Sequence, residues 1–166
     1  MIFAVDIGYR EDVALSAGLV FADWASDAPA QQIVYQMQVA SDYIPGEFYR
    51  RELPCILALL GHLAEKPDTI VIDGYVSLGD DQRPGLGMKL WDALGGTTPV
   101  IGVAKTSFAE TPPETQVFRG GSKMSLFVTA VGLPLEAAKA NILAMAGPFR
   151  IPTLLKRVDQ LSRGLA

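Results

Sequence analysis

Apolar positions along the chain fall into strand-sized runs and helix-spaced stripes. Residues 2–7 read as a buried strand interrupted by Asp6, and residues 13–22 as a second apolar run with Gly18 inside it. A turn-rich segment, 23–30, separates these from residues 32–39. There Ile33, Tyr35, Met37 and Val39 alternate with Val34, Gln36 and Gln38, the pattern of a half-buried strand. Three strands with short links predict an antiparallel meander.

The pattern then changes. Tyr43-Ile44-Pro45-Gly46 predicts a rigid turn. Pro45 fixes its own φ and holds Ile44 extended, and Gly46 lets the chain reverse. Such a turn pushes Tyr43 and Ile44 outward as a stiff apolar wedge. Residues 52–65 predict a helix with Pro54 in its first turn. Residues 69–72 read as a buried strand ending in Asp73-Gly74, and 86–94 as a short helix closed by Gly95-Gly96. Another buried strand covers 99–104. Residues 117–121 and 126–131 suggest a hairpin, and helices follow at 134–146 and 151–161. Three strands followed by alternating helices and strands predict an α/β single domain, a mixed sheet flanked by helices.

Composition narrows the class. At 166 residues, about half of them hydrophobic, the chain suffices for one core, and no apolar run reaches membrane-spanning length. The lone Cys55 cannot form an internal disulfide, and no secretory leader pattern opens the chain, so a cytoplasmic setting is expected. The net charge of −4 excludes broad non-specific affinity for nucleic acid but leaves room for a local basic lip.

Three carboxylates stand out. Asp6 interrupts the first strand, Asp73 ends the central one, and Glu52 opens the helix between them on the stripe of Ile56, Leu59 and Leu63. Adjacent strands would bring the two aspartates to one edge, with Glu52 arriving from the helix. Three carboxylates in one place repel unless a cation sits among them, and Mg²⁺ or Mn²⁺ takes oxygen ligands of this kind. Each residue also has a plainer reading. Asp before Gly is common at strand-end turns, a first-turn Glu suits the helix dipole, and Lys105 caps a strand end.

The Tyr43-Ile44-Pro45-Gly46 turn, with Arg51-Glu52 and Pro54 before the helix, closely resembles the signature of the endonuclease V family. Residues 4–9, residues 67–74 and Ile101-Gly102-Val103-Ala104-Lys105 resemble further family blocks in the same order. The resemblance implies a ribonuclease H-like fold and a metal-dependent endonuclease cutting DNA or RNA near deaminated adenine. It implies Asp6, Glu52 and Asp73 as catalytic carboxylates and Mg²⁺ (or Mn²⁺) ligands, and Lys105 beside the scissile phosphate. Tyr43, Ile44, Pro45 and Gly46 become a wedge filling the gap left by an extruded base, which Gly74 would let approach the backbone.

The chain also departs from the family pattern. Tyr75 stands where a histidine is usual, residues 79–84 replace a His-Pro-Arg step, and Gly132-Leu133-Pro134 lacks the usual Gly-His. The family's helix ahead of the first strand has no counterpart, which reads as an N-terminally shortened member. Asp80 or Asp81 are candidate substitute ligands, against a solvated loop, and His62 is expected on the helix away from any metal. Two other functions stay open: a non-catalytic nucleic-acid-binding relative that keeps the fold, and an interaction protein that reuses it.

Overall fold

The computed structural model describes residues 1–39, 49–108 and 110–165. The meander forms as the alternation predicts: β1 (Ile2–Arg10), β2 (Val13–Phe21) and β3 (Gln31–Gln38) pair antiparallel in sequence order. Residues 11–12 make the first turn, with Glu11 at φ 55°. In β3, Ile33 and Met37 pack on the core, while Tyr35 is 36 % exposed on this edge strand.

Next come α1 (Tyr49–Leu60), β4 (Thr69–Asp73), a two-residue ribbon of β5 (Ser77–Leu78) and β6 (Arg83–Pro84), α2 (Leu86–Ala93) and β7 (Val100–Ala104). The chain closes with β8 (Gln116–Val117), β9 (Leu126–Val131), α3 (Leu135–Ala144) and α4 (Thr153–Ser162). The main sheet has the order β3-β2-β1-β4-β7-β9-β8. β1, β4 and β7 run parallel, and the outer strands pair antiparallel to their neighbours. The predicted mixed sheet is therefore what the strands build.

Period-two alternation assigns the two faces. Phe3, Val5, Ile7, Ile70, Ile72 and Val100 pack with Ile56, Leu59 and Leu90 of α1 and α2. Ile2, Ala4, Val71, Ile101 and Val103 pack with Ala138, Ile142, Leu154, Val158 and Leu161 of α3 and α4. Both faces of the parallel strands are buried, which is why they read as near-continuous apolar runs.

Several elements differ from their predicted bounds, and β1 runs on to Arg10 because it pairs with β2 over its whole length. α1 begins at Tyr49, so Pro54 lies inside the helix, and it ends at Leu60 rather than 65. Past Leu60 the bonding tightens: His62 N donates to Leu59 O and Leu63 N to Leu60 O, each three residues back. The predicted 117–121 strand shrinks to the two residues of β8. The Arg119 guanidinium turns inward to donate to Phe149 O (2.7 Å) and Met145 O (2.5 Å), tying residues 118–121 to the α3–α4 connection instead of the sheet.

Candidate active site

The parallel ladder between β1 and β4 ends at the pair Val5–Ile72, one residue short of Asp6 and Asp73. Both aspartates thus stand side by side just past the end of this ladder, while Asp6 still pairs with Ala17 of β2 and Asp73 with Val103 of β7. By alternation, Asp6 shares the face of Ile2 and Ala4, and Asp73 that of Val71, the face covered by α4. Lys105 follows β7 on the same face. Its Nζ lies 3.8 Å from Asp73 Oδ2 and 3.4 Å from Asp159 Oδ1 of α4. Glu52 approaches from the other layer, in the first turn of α1. Asp6, Glu52 and Asp73 line one small cavity together with Ile56 and Leu86.

The charges are coupled. Burial first, then Asp73, pushes the Asp6 carboxyl up to about 7, against the pull of Ser162 and Lys105. Burial first, then Asp6 and Asp73, pushes Glu52 up to about 8. Burial also raises Asp73, although its side chain is 41 % exposed and Lys105 pulls it back down. Burial works to raise Asp159 as well, but the charges of Lys105 and Arg163 outweigh it and leave Asp159 below its ordinary value.

Among the described residues, no three His, Cys, Asp or Glu side chains already stand together as a ready metal-holding cluster. The layering explains the spacing: two acids lie on the α4 face and the third comes from the α1 face. The donor set itself, three carboxylates raised by burial, with Asp73 adding to Asp6 and both aspartates adding to Glu52, is all-oxygen, the kind that suits a hard divalent cation.

Beside Asp73 the chain opens a cavity of ≈ 420 Å³, whose walls include Glu52, Gly74, Tyr49, Leu78, Leu86 and Phe108. Gly74 sits at φ +126°, a conformation that L side chains rarely adopt, and among the described residues beyond its chain neighbours no atom lies within 4 Å of where a Cβ would stand. Arg83 on β6 also lines this cavity, with its guanidinium 5.6 Å from the Phe108 ring centroid.

A sequence model of endonuclease V matches residues 1–148 of this chain. The chain belongs to the endonuclease V family. The endonuclease V of Streptomyces avermitilis is 30 % identical over 181 residues, covering 96 % of this chain and 77 % of the relative. That of Thermococcus kodakarensis is 30 % identical over 161 residues, covering 97 % and 77 %. The crystal structure of the Streptomyces avermitilis endonuclease V superposes with a TM-score of 0.77 at 28 % identity, covering 98 % of this chain and 79 % of that one. An endonuclease V of Ciona intestinalis, solved with a 24mer DNA containing an inosine followed by a ribo-adenosine, shares the fold at TM-score 0.76 and 18 % identity, covering 98 % and 84 %. The mixed sheet is accordingly ribonuclease H-like, and the family is one of nucleases.

Within this endonuclease V fold, Asp6, Asp73 and Lys105 stand at one edge of the sheet, and Glu52 lines a cavity with the two aspartates from the other layer. The wedge residues Tyr43, Ile44, Pro45 and Gly46 lie outside the described residues. Asp81 pairs with Arg83 at 3.3 Å, and Asp80 is exposed, consistent with a solvated loop. His62 is exposed in the turn after α1, with Nδ1 2.8 Å from Ala58 O and its ring 4.9 Å from that of Tyr35. Tyr75 donates its hydroxyl proton to Thr106 O at 2.7 Å, and Leu133 packs against the α3–α4 core.

Sequence reasoning missed three participants. Asp159 and Ser162 reach the site from α4, and Arg150 donates to Lys105 O and, at 2.8 Å, to Ser125 O. A signal for the first two existed: they border the buried stripe of Leu154, Val158 and Leu161, where polar side chains face the sheet edge rather than water.

Proposed function

We propose that this chain is a divalent-metal-dependent endonuclease that hydrolyses a phosphodiester near a deaminated, inosine-type or unpaired base in DNA or RNA. The observation that carries the reading is the meeting of Asp6, Glu52 and Asp73 around one cavity beside Lys105, where burial and Asp73 raise Asp6, and burial and both aspartates raise Glu52. Three partly buried acids, two on adjacent parallel strands and one on a helix, are costly in isolation and become useful around a cation. Asp6, Glu52 and Asp73 are the residues that would hold Mg²⁺ or Mn²⁺. When bound, the ion supplies activation of a water and charge stabilisation at the leaving oxygen.

The rest is done by the chain's own side chains. Lys105, held at its backbone by Arg150 and at its ammonium by Asp73 and Asp159, presents positive charge where a phosphate would lie beside the acids. The cavity at Gly74 offers apolar and aromatic walls for an extruded base. The DNA in the Ciona intestinalis complex carries an inosine, which supports this choice of substrate.

A second reading, a non-catalytic binding relative, is favoured by Tyr75 and Leu133 at positions where the resemblance leads one to expect histidines. The deciding experiment compares wild type with Asp73→Asn on inosine-containing and unmodified strands of DNA and RNA, with Mg²⁺, Mn²⁺ or chelator. Asn keeps the shape but loses the charge. Partners outside a metal's ligand shell are already worth about 10–100-fold, so the loss should exceed roughly 10²-fold. Chelator-insensitive cleavage, equal in both proteins, would remove the enzyme reading. Binding without cleavage by wild type would select the second.

A further inference from the structure

The last turn of α4 is locked onto β1. A Cβ on Gly8 would fall 2.1 Å from Ser162 O, so only glycine lets the two backbones approach this closely. The Arg10 guanidinium donates to Arg163 O at 2.9 Å, just beyond the helix end. Ser162 is 3 % exposed, and its Oγ lies 3.0 Å from Asp6 Oδ2. The other oxygen, Asp6 Oδ1, accepts from Ile7 N at 2.9 Å.

A helical serine ordinarily returns its proton to a carbonyl of the preceding turn, and Ser162 Oγ does stand 2.8 Å from Asp159 O. That carbonyl also accepts from Arg163 N at 3.2 Å. One hydroxyl proton cannot fully serve both acceptors, and a bond to a charged carboxylate is the stronger of the two. We infer that Ser162 is a positioning residue, donating to Asp6 Oδ2 and, with Ile7 N, fixing the orientation in which the Asp6 carboxylate would serve as a metal ligand. The inference rests on the reading of Asp6 as a metal ligand. It explains why α4 is docked where it is: the helix carries the hydroxyl that orients a strand-borne acid.

The test is Mn²⁺ binding by titration calorimetry to wild type, Ser162→Ala, Arg10→Ala and Asp73→Asn. Removing an outer hydrogen-bond partner of a metal ligand typically costs about 10–100-fold in metal affinity, so Ser162→Ala should bind roughly tenfold more weakly. Arg10→Ala removes another contact of the same helical turn without touching Asp6, and should bind as wild type does. Raising Mn²⁺ should restore cleavage by Ser162→Ala but not by Asp73→Asn. Should the alanine variant fold poorly, Ser162→Cys keeps nearly the volume, exchanges a strong donor for a weak one, and should show the same loss. Equal affinity of Ser162→Ala and wild type overturns the inference alone, as does an equal loss in Arg10→Ala, which would assign the effect to docking. Wild-type Mn²⁺ binding that is absent or insensitive to Asp73→Asn overturns the metal reading and the inference with it.

Discussion

Lys105 Nζ lies 3.8 Å from Asp73 Oδ2. The ammonium sits 3.4 Å from Asp159 Oδ1 as well, so one cation joins the end of β4 to α4 across the carboxyl edge of the sheet. Both contacts are partly open to water, and such pairs add little to stability, typically about 0–1 kcal/mol. Their use is positional: they hold a positive charge beside the acids.

Lys105→Ala should therefore slow cleavage more than it destabilises the fold. Deleting one preorganised charge-stabilising group commonly costs about 10²–10³-fold in rate, and the lower end is expected here because the acids remain. Single-turnover cleavage alongside thermal melting checks this. A rate within twofold of wild type would remove Lys105 from the site.

The raised carboxyls make stability pH-dependent. Asp6 goes from 3.8 to about 7 and Glu52 from 4.5 to about 8 on folding. Between the ordinary and the raised values the folded chain binds more protons than the unfolded one, so stability falls as pH rises across that window. The loss levels off once pH exceeds the raised values. Melting in chelator should thus be higher at about pH 5 than at about pH 8, and saturating Mn²⁺ should narrow the gap from the alkaline side, where both acids are charged. A flat profile would contradict the burial of these groups.

Glu52→Gln should separate activity from stability. It keeps the size of a side chain on the buried stripe of α1 and removes a charge that burial, Asp6 and Asp73 all oppose. The metal-free variant should gain roughly 0.5–2 kcal/mol at about pH 8, the range usual for single stabilising substitutions. Cleavage should be lost at the same time. Denaturant melts of both proteins in chelator check the sign.

Gly8→Ala should loosen α4. The new Cβ would meet Ser162 O at 2.1 Å, and backbone cannot yield as a flexible side chain does. Overpacking of this kind costs about 1–3 kcal/mol, and the helix shift should weaken Mn²⁺ binding along with stability. A variant as stable as wild type would show that α4 does not seat on Gly8.

Particular residues show where reading the sequence stops. Asp6 was legible because a lone acid inside the 2–7 apolar run breaks the pattern. Asp73 was legible because it ends the next buried run before a glycine. Glu52 could be placed at a helix start, but its helix begins three residues earlier than expected, since the turns on either side of Pro54 depend on how α1 packs on Phe3, Ile70 and Leu90. Asp159 and Ser162 showed only as polar residues bordering the apolar stripe of α4. Nothing in the sequence of a short amphipathic helix says which edge of which strand it will lie against.

By itself, then, the sequence determined most of the strands and helices and the mixed sheet, and singled out the three acids, because period and burial are local properties of a chain. The tertiary structure decided which face each acid leaves from. It set Asp6, Asp73, Lys105 and Asp159 on the α4 side and Glu52 on the α1 side. Those placements follow from strand order and helix docking between residues up to 156 positions apart, such as Asp6 and Ser162. Contacts at that separation are chosen by the packing of whole layers, and no local pattern encodes them.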